Sequence, residues 1–511
     1  EHTDRRVLDA VHLDWIGKYN RYPRLKTTRC DDIHALLYDP SGVDCGHRNA
    51  KPSGEAAVLG LLKYDRPEVD VSANVLACLV TASTWLDTMF NRVLDASCVL
   101  SIDETIDQLV MNTSAGFPWN TLYKNKREML DSHGRAPFYA YFDLLDSDVQ
   151  YIAYWTSALK EELRPIEKLK RNSVRQINGA SADFTAAMNC YTLMQNEALY
   201  DVNTITPSAV GMSPFHGGWN QLWRKLSRFR RGFDGDYVKF DSSLLGVVLK
   251  LVGDFRFRGL CKWFDKRGLS KEERATHTKR FWKMTMNEIH SVLVTIYGDI
   301  VVKHLGMPSG TPNTASTNTF AAVVLICACW IYHDLGDINA FLALVAPAIY
   351  ADDLAISMDE SIIEVYNGPA VAEFVRLLGM DLDVDPIPVS VKELRFLSNG
   401  FGLYDVYGVA VPVNVDKLRS GIFYRSDGNL CSQYSRLASY RALLFGGVLT
   451  KHAECTKLYH DVEAYGKRLR EKGDKLLGGT QEWNACVSQW KSEVELLQLH
   501  LPLELGTPGL K

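Results

Sequence analysis

The 511-residue chain has no Cys-x-x-Cys pair, and its 11 cysteines are scattered, the nearest two being Cys327 and Cys329. That pattern speaks against a disulfide framework or a cysteine-rich zinc site and fits a reducing compartment. Cys45 and His47 form a lone C-G-H, which reads as a surface loop rather than a metal site. Charge of one sign is also lacking: 57 Lys and Arg stand against 61 Asp and Glu, for a net charge of −4. A uniformly basic coat for nucleic acid is excluded, while a local basic groove is not. No apolar run reaches the about 20 residues of a bilayer span. The longest, Phe320 to Tyr332, reads as a buried helix. The N-terminal stretch EHTDRRVLDAVHLDW is polar and carries no apolar segment of a signal peptide. There is no internal repeat and no low-complexity tract.

What is present is an ordinary folded composition, 46% hydrophobic and 23% charged, in a chain long enough for two to four subdomains. Ala73 to Leu94 carries apolar residues at three- and four-residue spacing and predicts one helix. Two amphipathic stretches near the C-terminus, KLYHDVEAYGKRLREKG and EWNACVSQWKSEVELLQLHL, predict a helical subdomain. Between these regions, short apolar strands such as VLVTIYG and FLALVAPAIY alternate with helices, which predicts an α+β core.

Four constellations carry chemistry. In AIYADDLAIS, Asp352 and Asp353 lie between apolar runs with no basic neighbour to offset their repulsion. A strand–turn–strand hairpin would put both at its tip. An exposed turn is the plainer alternative. In GDYVKFDSSLL, Asp236 would end a buried strand and Asp241 would lie in the turn to a helix, with Ser242 and Ser243 able to cap it. Two strand ends side by side would form a carboxylate cradle for two divalent cations. Such a cradle suits in-line phosphoryl displacement.

The third, HLGMPSGTPNTASTNTF, is forced out of regular structure by Gly306, Pro308, Gly310 and Pro312. Its Ser309, Thr314, Ser316, Thr317, Asn318 and Thr319 exceed what helix capping needs, which points to substrate hydrogen bonds. In the fourth, KEELRPIEKLKRNSVRQI, the cations Lys160, Arg164, Lys168, Lys170, Arg171 and Arg175 outnumber Glu161, Glu162 and Glu167. That excess suits a phosphate channel, with a solvated helix interrupted by Pro165 as the default. A further basic cluster, Arg224 to Arg231, reads as the outer face of an amphipathic helix rather than a phosphate site.

Taken in order, these motifs resemble the RNA-dependent RNA polymerases of positive-strand RNA viruses, in the picornavirus-like group. The resemblance runs from about Thr113 to Gly400. TSAGFPW (Thr113 to Trp119) is similar to the template-entry motif of the fingers, and KEELRPIEK with Arg175 to the basic fingers motif. DYVKFD resembles the palm motif with a metal-binding Asp and a second Asp five residues on. GMPSGTPNTASTN resembles the loop–helix that checks the sugar, and FLSNGF (Phe396 to Phe401) the hairpin that grips the primer. YADD stands where the family usually has YGDD. The hairpin lacks the basic pair of its closest relatives. No lysine occurs between Asp353 and Lys392, where the family tends to carry a proposed general acid.

The resemblance implies an α+β right-hand architecture: fingers with an N-terminal extension over 1–195, palm over 196–250 and 301–405, a fingers insertion over 251–300, and a helical thumb over 406–511. Fingers and thumb would touch and enclose the site. It implies template-directed RNA synthesis from rNTPs, replicating a viral RNA genome. Asp236, Asp352 and Asp353 would be catalytic and hold two Mg²⁺ ions, which Mn²⁺ can replace. Lys160, Arg164, Arg175, Asp241, Ser309, Thr314 and Asn318 would bind the nucleotide. Thr113, Ser114, Gly116, Lys168, Gly310, Phe396 and Leu397 would contact RNA. The implied partners are template and primer RNA, rNTPs and other viral replication proteins, in a membrane-associated complex of the host cytoplasm that the chain joins without a transmembrane segment of its own. A reverse transcriptase is the nearest alternative, disfavoured because a small acidic residue, Asp241, occupies the position where such enzymes place a bulky one. A non-catalytic RNA-binding scaffold is disfavoured by the intact Asp236, Asp352 and Asp353.

Overall fold

The computed structural model describes residues 3–19, 46–67, 69–149, 152–423 and 429–502. Cys45 of the C-G-H stretch lies outside the described residues.

The apolar run Phe320 to Tyr332 lies in a helix, Thr314–Tyr332, which is buried on every side from Ser316 to Trp330. It is the one helix, among the described residues, long and apolar enough to cross a membrane, and 83% of its apolar window is buried within the protein. Its apolar surface is met by Ala73–Met89, by the first half of Gly246–Arg267, by Gly368–Arg376 and by the strand Val345–Tyr350. Burying each large aliphatic side chain here contributes roughly 1.5–3 kcal/mol. The expected single helix from Ala73 to Leu94 is two. Phe90 leaves helical geometry at φ −123°, ψ 36°, and a second short helix, Asn91–Asp95, follows. Phe90 gains ring contacts with Phe255 and Phe320 from that position, so tertiary packing overrides the periodicity.

The strand Arg231–Tyr237 lies inside an antiparallel sheet ordered Leu382–Val384, Arg231–Tyr237, Asp353–Met358, Val345–Tyr350. FLALVAPAIY is not all strand. Ile338–Leu344 is helical, with Asp337 capping Ala340, and the strand begins at Val345. A five-stranded sheet on the other side joins Leu13–Lys18, Asp299–Lys303, Val292–Thr295, Tyr154–Leu159 and Gln176–Ala180. It has its own core, including Trp155, Phe184, Tyr191 and Phe281.

KEELRPIEKLK is not one interrupted helix. Leu163–Pro165 is a strand paired with His47–Asn49, and only Ile166–Lys170 is helical, because proline starts a helix but cannot continue one. The C-terminal helices Leu430–Leu449, Ala453–Leu477, Gln481–Val487 and Glu493–His500 enclose a third core around Tyr434, Tyr459 and Trp483. The helix Val415–Phe423 packs against both His47–Asn49 and Leu163–Pro165, so the C-terminal part touches the N-terminal part across the front of the molecule.

Of the cluster Arg224 to Arg231, only the first residues belong to a helix, Gly218–Leu226. Lys225 donates to Thr206 O, Arg228 to Leu342 O and Ala343 O, and Arg231 to Pro388 O. These cations are engaged by backbone carbonyls, in line with a structural role.

Candidate active site

Strand periodicity builds the centre. Asp353 opens the strand Asp353–Met358 and pairs directly with Asp236 on the neighbouring strand. Directly paired residues share a face, so the two carboxylates project together. Asp352 occupies the tight turn after Tyr350, and its carbonyl accepts from Tyr237 N at 3.3 Å. Ala351, at φ 55°, makes the turn, and its N–H donates to Thr319 Oγ1 at 2.9 Å. A residue of the loop–helix motif therefore holds the aspartate turn through its backbone.

Solvent reaches Asp236 and Asp352, yet both carboxyls lie above their ordinary range. For Asp236 the cause is burial and then the charge of Asp352, opposed by Lys168 and Arg175. For Asp352 it is burial and then Asp241, opposed by its own backbone hydrogen bond and Arg175. Asp353 is pushed up to about 7 by burial and by Asp236, Asp352 and Asp234, with the Leu397 N–H opposing. No described cation forms an ion pair with any of these three carboxylates. Concentrated, unpaired, all-oxygen donors are what a hard divalent ion requires. The residue types fit magnesium, although no three such side chains close on one point among the described residues. Asp353 points partly away, toward Leu397 N at 3.0 Å.

Two further carboxylates escaped the sequence reading. Asp383 pairs with Asp236 from the opposite side, and Asp234 accepts from Arg395 N at 3.2 Å. Cross-strand register, which isolated motifs do not reveal, brings both there.

Asp241 sits in the short helix Phe240–Ser243, entered through Lys239 at φ 55°. Ser242 and Ser243 do not cap it. Both lie inside the helix, and their hydroxyls return to Lys239 O and Phe240 O. The glycine loop lies on this turn and on the Gln176–Ala180 strand. A Cβ at Gly306 would meet Asp241 O at 2.3 Å, and one at Gly310 would meet Asn178 O at 2.7 Å. Only glycine permits that approach.

The loop hydroxyls divide by role. Thr314 Oγ1 donates to Pro308 O and Thr311 O, and Ser309 Oγ bridges Gln176 O and Asn178 N. Those two are engaged in shaping the loop. Ser316 and Thr317 accept from the buried Arg256 guanidinium, a cation that periodicity hid inside a helix. Asn318 is buried, and its Oδ1 has no partner.

The basic motif forms one wall of a cavity of about 600 Å³. Arg164, Lys168 and Arg175 line it beside Asp236, while Lys417, Arg436 and Tyr440 close it from the C-terminal side. Glu162 is its hub, at 3.1 Å from Lys160, 3.8 Å from Arg164 and 3.7 Å from Arg175. Lys168 is exposed at the rim.

Thr113 and Ser114 are exposed on a loop tied down by Gly116. That glycine has φ 71°, and a Cβ there would meet Ala180 O at 2.5 Å. The hairpin of FLSNGF pairs Phe396 with Asn399 and turns through Leu397 and Ser398, both at positive φ. Phe396 is buried and Leu397 faces the aspartates through its N–H. Lys392 is exposed in the single turn Val391–Glu393 just before this hairpin.

Comparisons with known proteins bear on the family and the fold. A model of the viral RNA-dependent RNA polymerase family matches residues 24–475. The genome polyprotein of Bean common mosaic necrosis virus (strain NL-3) is 25% identical over 373 residues, covering 70% of this chain and 11% of the polyprotein. Non-structural polyprotein 1AB of Ovine astrovirus 1 is 24% identical over 425 residues, 81% of this chain and 31% of that one. The chain thus spans between about a tenth and a third of the length of these relatives. The solved Sicinivirus 3Dpol RNA dependent RNA polymerase superposes with a TM-score of 0.70 at 17% identity, covering 92% of this chain and 97% of that one. That likeness bears on the fold, a viral right-hand polymerase.

Proposed function

We propose, on the premise that this chain belongs to the viral RNA-dependent RNA polymerase family, that it extends an RNA 3′ end on an RNA template using rNTPs. The observation that carries the reading is the direct pairing of Asp236 with Asp353, with Asp352 in the adjoining turn, beside a cavity walled by Arg164, Lys168 and Arg175.

In this reading the primer 3′-hydroxyl attacks the α-phosphorus of the incoming nucleotide. The hydroxyl gives up its proton to water, a new P–O bond forms, the bond to the bridging oxygen breaks, and pyrophosphate leaves. Asp236 and Asp352, assisted by Asp353, would hold two magnesium ions, with manganese able to substitute. Such ions lower the pKa of the attacking hydroxyl and offset charge on the triphosphate. The chain's own groups position the reactants. Lys160, Arg164 and Arg175 exchange Glu162 for triphosphate oxygens. Asp241 and Asn318 meet the ribose 2′-hydroxyl, and a site built for a hydroxyl rejects sugars lacking it. Ser309 and Thr314 act by shaping the loop. Thr113, Ser114, Gly116, Lys168 and Gly310 guide the template, and Phe396 and Leu397 carry the primer end to the aspartates.

The domain map follows: fingers over 1–195 and 251–300, palm over 196–250 and 301–405, thumb over 406–511. The partners would be template, primer and other viral replication proteins, in a membrane-associated complex of the host cytoplasm. The acidic side chain of Asp241, ion-paired inside the sugar pocket, favours RNA synthesis over reverse transcription.

Primer extension on a defined RNA template with Mg²⁺, offering rNTPs or dNTPs, tests activity, template use and sugar choice together. Asp352→Asn is expected to abolish incorporation while RNA binding persists. Full activity in that variant would sink the carboxylate assignment.

A further inference from the structure

Lys63 lies far from every motif in sequence, just after the helix Gly54–Leu62, yet its Nζ is 3.3 Å from Asp241 Oδ2. The contact is not a surface ion pair. The Lys63 side chain is 14% exposed and that of Asp241 28%. At that degree of shielding a charge pair is screened far less than one in open water.

The surroundings fix the lysine from several sides. Its Nζ sits 4.7 Å from the ring centroid of the fully buried Tyr64, and Lys303 Nζ lies 5.5 Å from the same ring. Tyr64 OH accepts from Asn178 Nδ2 at 2.8 Å, and Asn178 in turn bonds the loop through Ser309 and Gly310. Lys303 donates to Gly306 O at 2.6 Å, and Met307 N donates to Asp241 O at 2.7 Å. Lys63 therefore joins the N-terminal part of the protein to Asp241, while its neighbour Tyr64 reaches the glycine loop through Asn178. Among the described residues, Asp241 is bonded through its side chain to Lys63 and not to Asn318, whose Oδ1 is left unpartnered.

We propose that Lys63 is a positioning residue for sugar selection, fixing the Asp241 carboxylate by one oxygen so that the other accepts the ribose 2′-hydroxyl. The proposal rests on the polymerase reading above. A carboxylate free to rotate into water pairs equally well with solvent, and the penalty for a missing 2′-hydroxyl shrinks. Lys63 thus sets how much of the pocket's polarity is left unpaired by a deoxynucleotide.

The test measures kcat/KM for rNTP and for the matching 2′-dNTP in the full chain and in Lys63→Met, Lys63→Arg and Asp241→Ala, with thermal unfolding of each. In Lys63→Met the rNTP/dNTP ratio should fall by about tenfold, the loss of one charge-assisted hydrogen bond to the pocket, with Lys63→Arg recovering most of it. A ratio unchanged in Lys63→Met but lowered in Asp241→Ala overturns the role of Lys63 alone. Parallel loss of rNTP and dNTP use, or a lowered melting temperature that Lys63→Arg restores without restoring the ratio, makes Lys63 a mere brace and overturns it too. An unchanged ratio in Asp241→Ala overturns the sugar-pocket reading itself.

Discussion

Asp353 Oδ2 accepts the backbone N–H of Leu397 at 3.0 Å, while Asp234 Oδ2 accepts that of Arg395 at 3.2 Å. Two carboxylates on adjacent strands thus hold alternate residues of one hairpin edge. In the proposed reading, Asp353 would be shared between the reaction centre and the segment that presents the primer. Asp353→Asn keeps an acceptor for Leu397 and loses the charge. Asp353→Ala loses both. Incorporation should fall in both variants. Primer–template affinity should fall only in Asp353→Ala, by about threefold to tenfold for one neutral hydrogen bond. Equal affinity of the two variants in an anisotropy titration would separate the hairpin from Asp353.

Ala351 stands at φ 55°, a conformation that costs a non-glycine residue roughly 1–2 kcal/mol. Glycine there relieves that strain but adds freedom to the unfolded chain, worth about 0.4–1 kcal/mol. Ala351→Gly should therefore be neutral to about 1 kcal/mol stabilising in denaturant unfolding, with incorporation retained because the bond to Thr319 uses only backbone N–H. Destabilisation by more than about 1 kcal/mol would mean that the methyl group packs rather than strains.

These two sites show what was legible beforehand. Asp236, Asp352 and Asp353 were readable because carboxylates set against apolar runs have few structural reasons to be there. The buried helix Thr314–Tyr332 was readable for the same reason, an apolar run with no polar face. Lys63, Asp234 and Asp383 were not. Each is an ordinary charged residue until strand register or chain crossing sets it against a partner distant in sequence. Arg256 was hidden because an arginine in a helix is usually solvated, whereas here it is 3% exposed and clamps Ser316. Within the hydroxyl run, the engagement of Ser309 and Thr314 by loop carbonyls is visible only once the loop is folded.

Asn318 is 4% exposed with Oδ1 unpartnered. An unmade buried hydrogen bond costs about 1–3 kcal/mol, a cost that a substrate hydroxyl would remove. Asn318→Ala should lower the rNTP/dNTP ratio without lowering the stability of the free protein. A preserved ratio would remove Asn318 from sugar selection, and a large loss of stability would make its amide structural.

Arg175 is drawn toward Glu162 at 3.7 Å while its side chain stays 59% exposed, so this pair is weak and exchangeable. Arg175→Ala should raise the nucleotide KM by about tenfold, the scale of a charge-assisted phosphate contact, with a smaller change in kcat. Glu162→Gln should act in the opposite direction on KM by releasing the cations. A normal KM in Arg175→Ala would leave the residue a fold-holding role only.

Glu288 is buried behind the loop–helix junction, and its carboxyl is pushed up to about 7 by burial, with Thr311, Arg256, Asn313 and Lys303 opposing. A carboxyl whose folded pKa is raised favours the folded state most when protonated in both states. That contribution is fully present below the ordinary value of 4.5 and is lost as pH rises through about 7. Over that interval the loss is on the order of 3 kcal/mol. Glu288→Gln cannot ionise and keeps most of the shape. Its stability relative to the wild type should therefore improve steadily as pH is raised from about 5 to about 7 and level off above that. Lys303, buried beside it with its own pKa brought down to about 7 by burial, carries its proton below that pH, and its charge is what blunts the trend by favouring the Glu288 carboxylate. Thermal unfolding across that range reads the difference directly. A difference between the two proteins that does not vary with pH would mean that Glu288 and Lys303 remain an ion pair throughout.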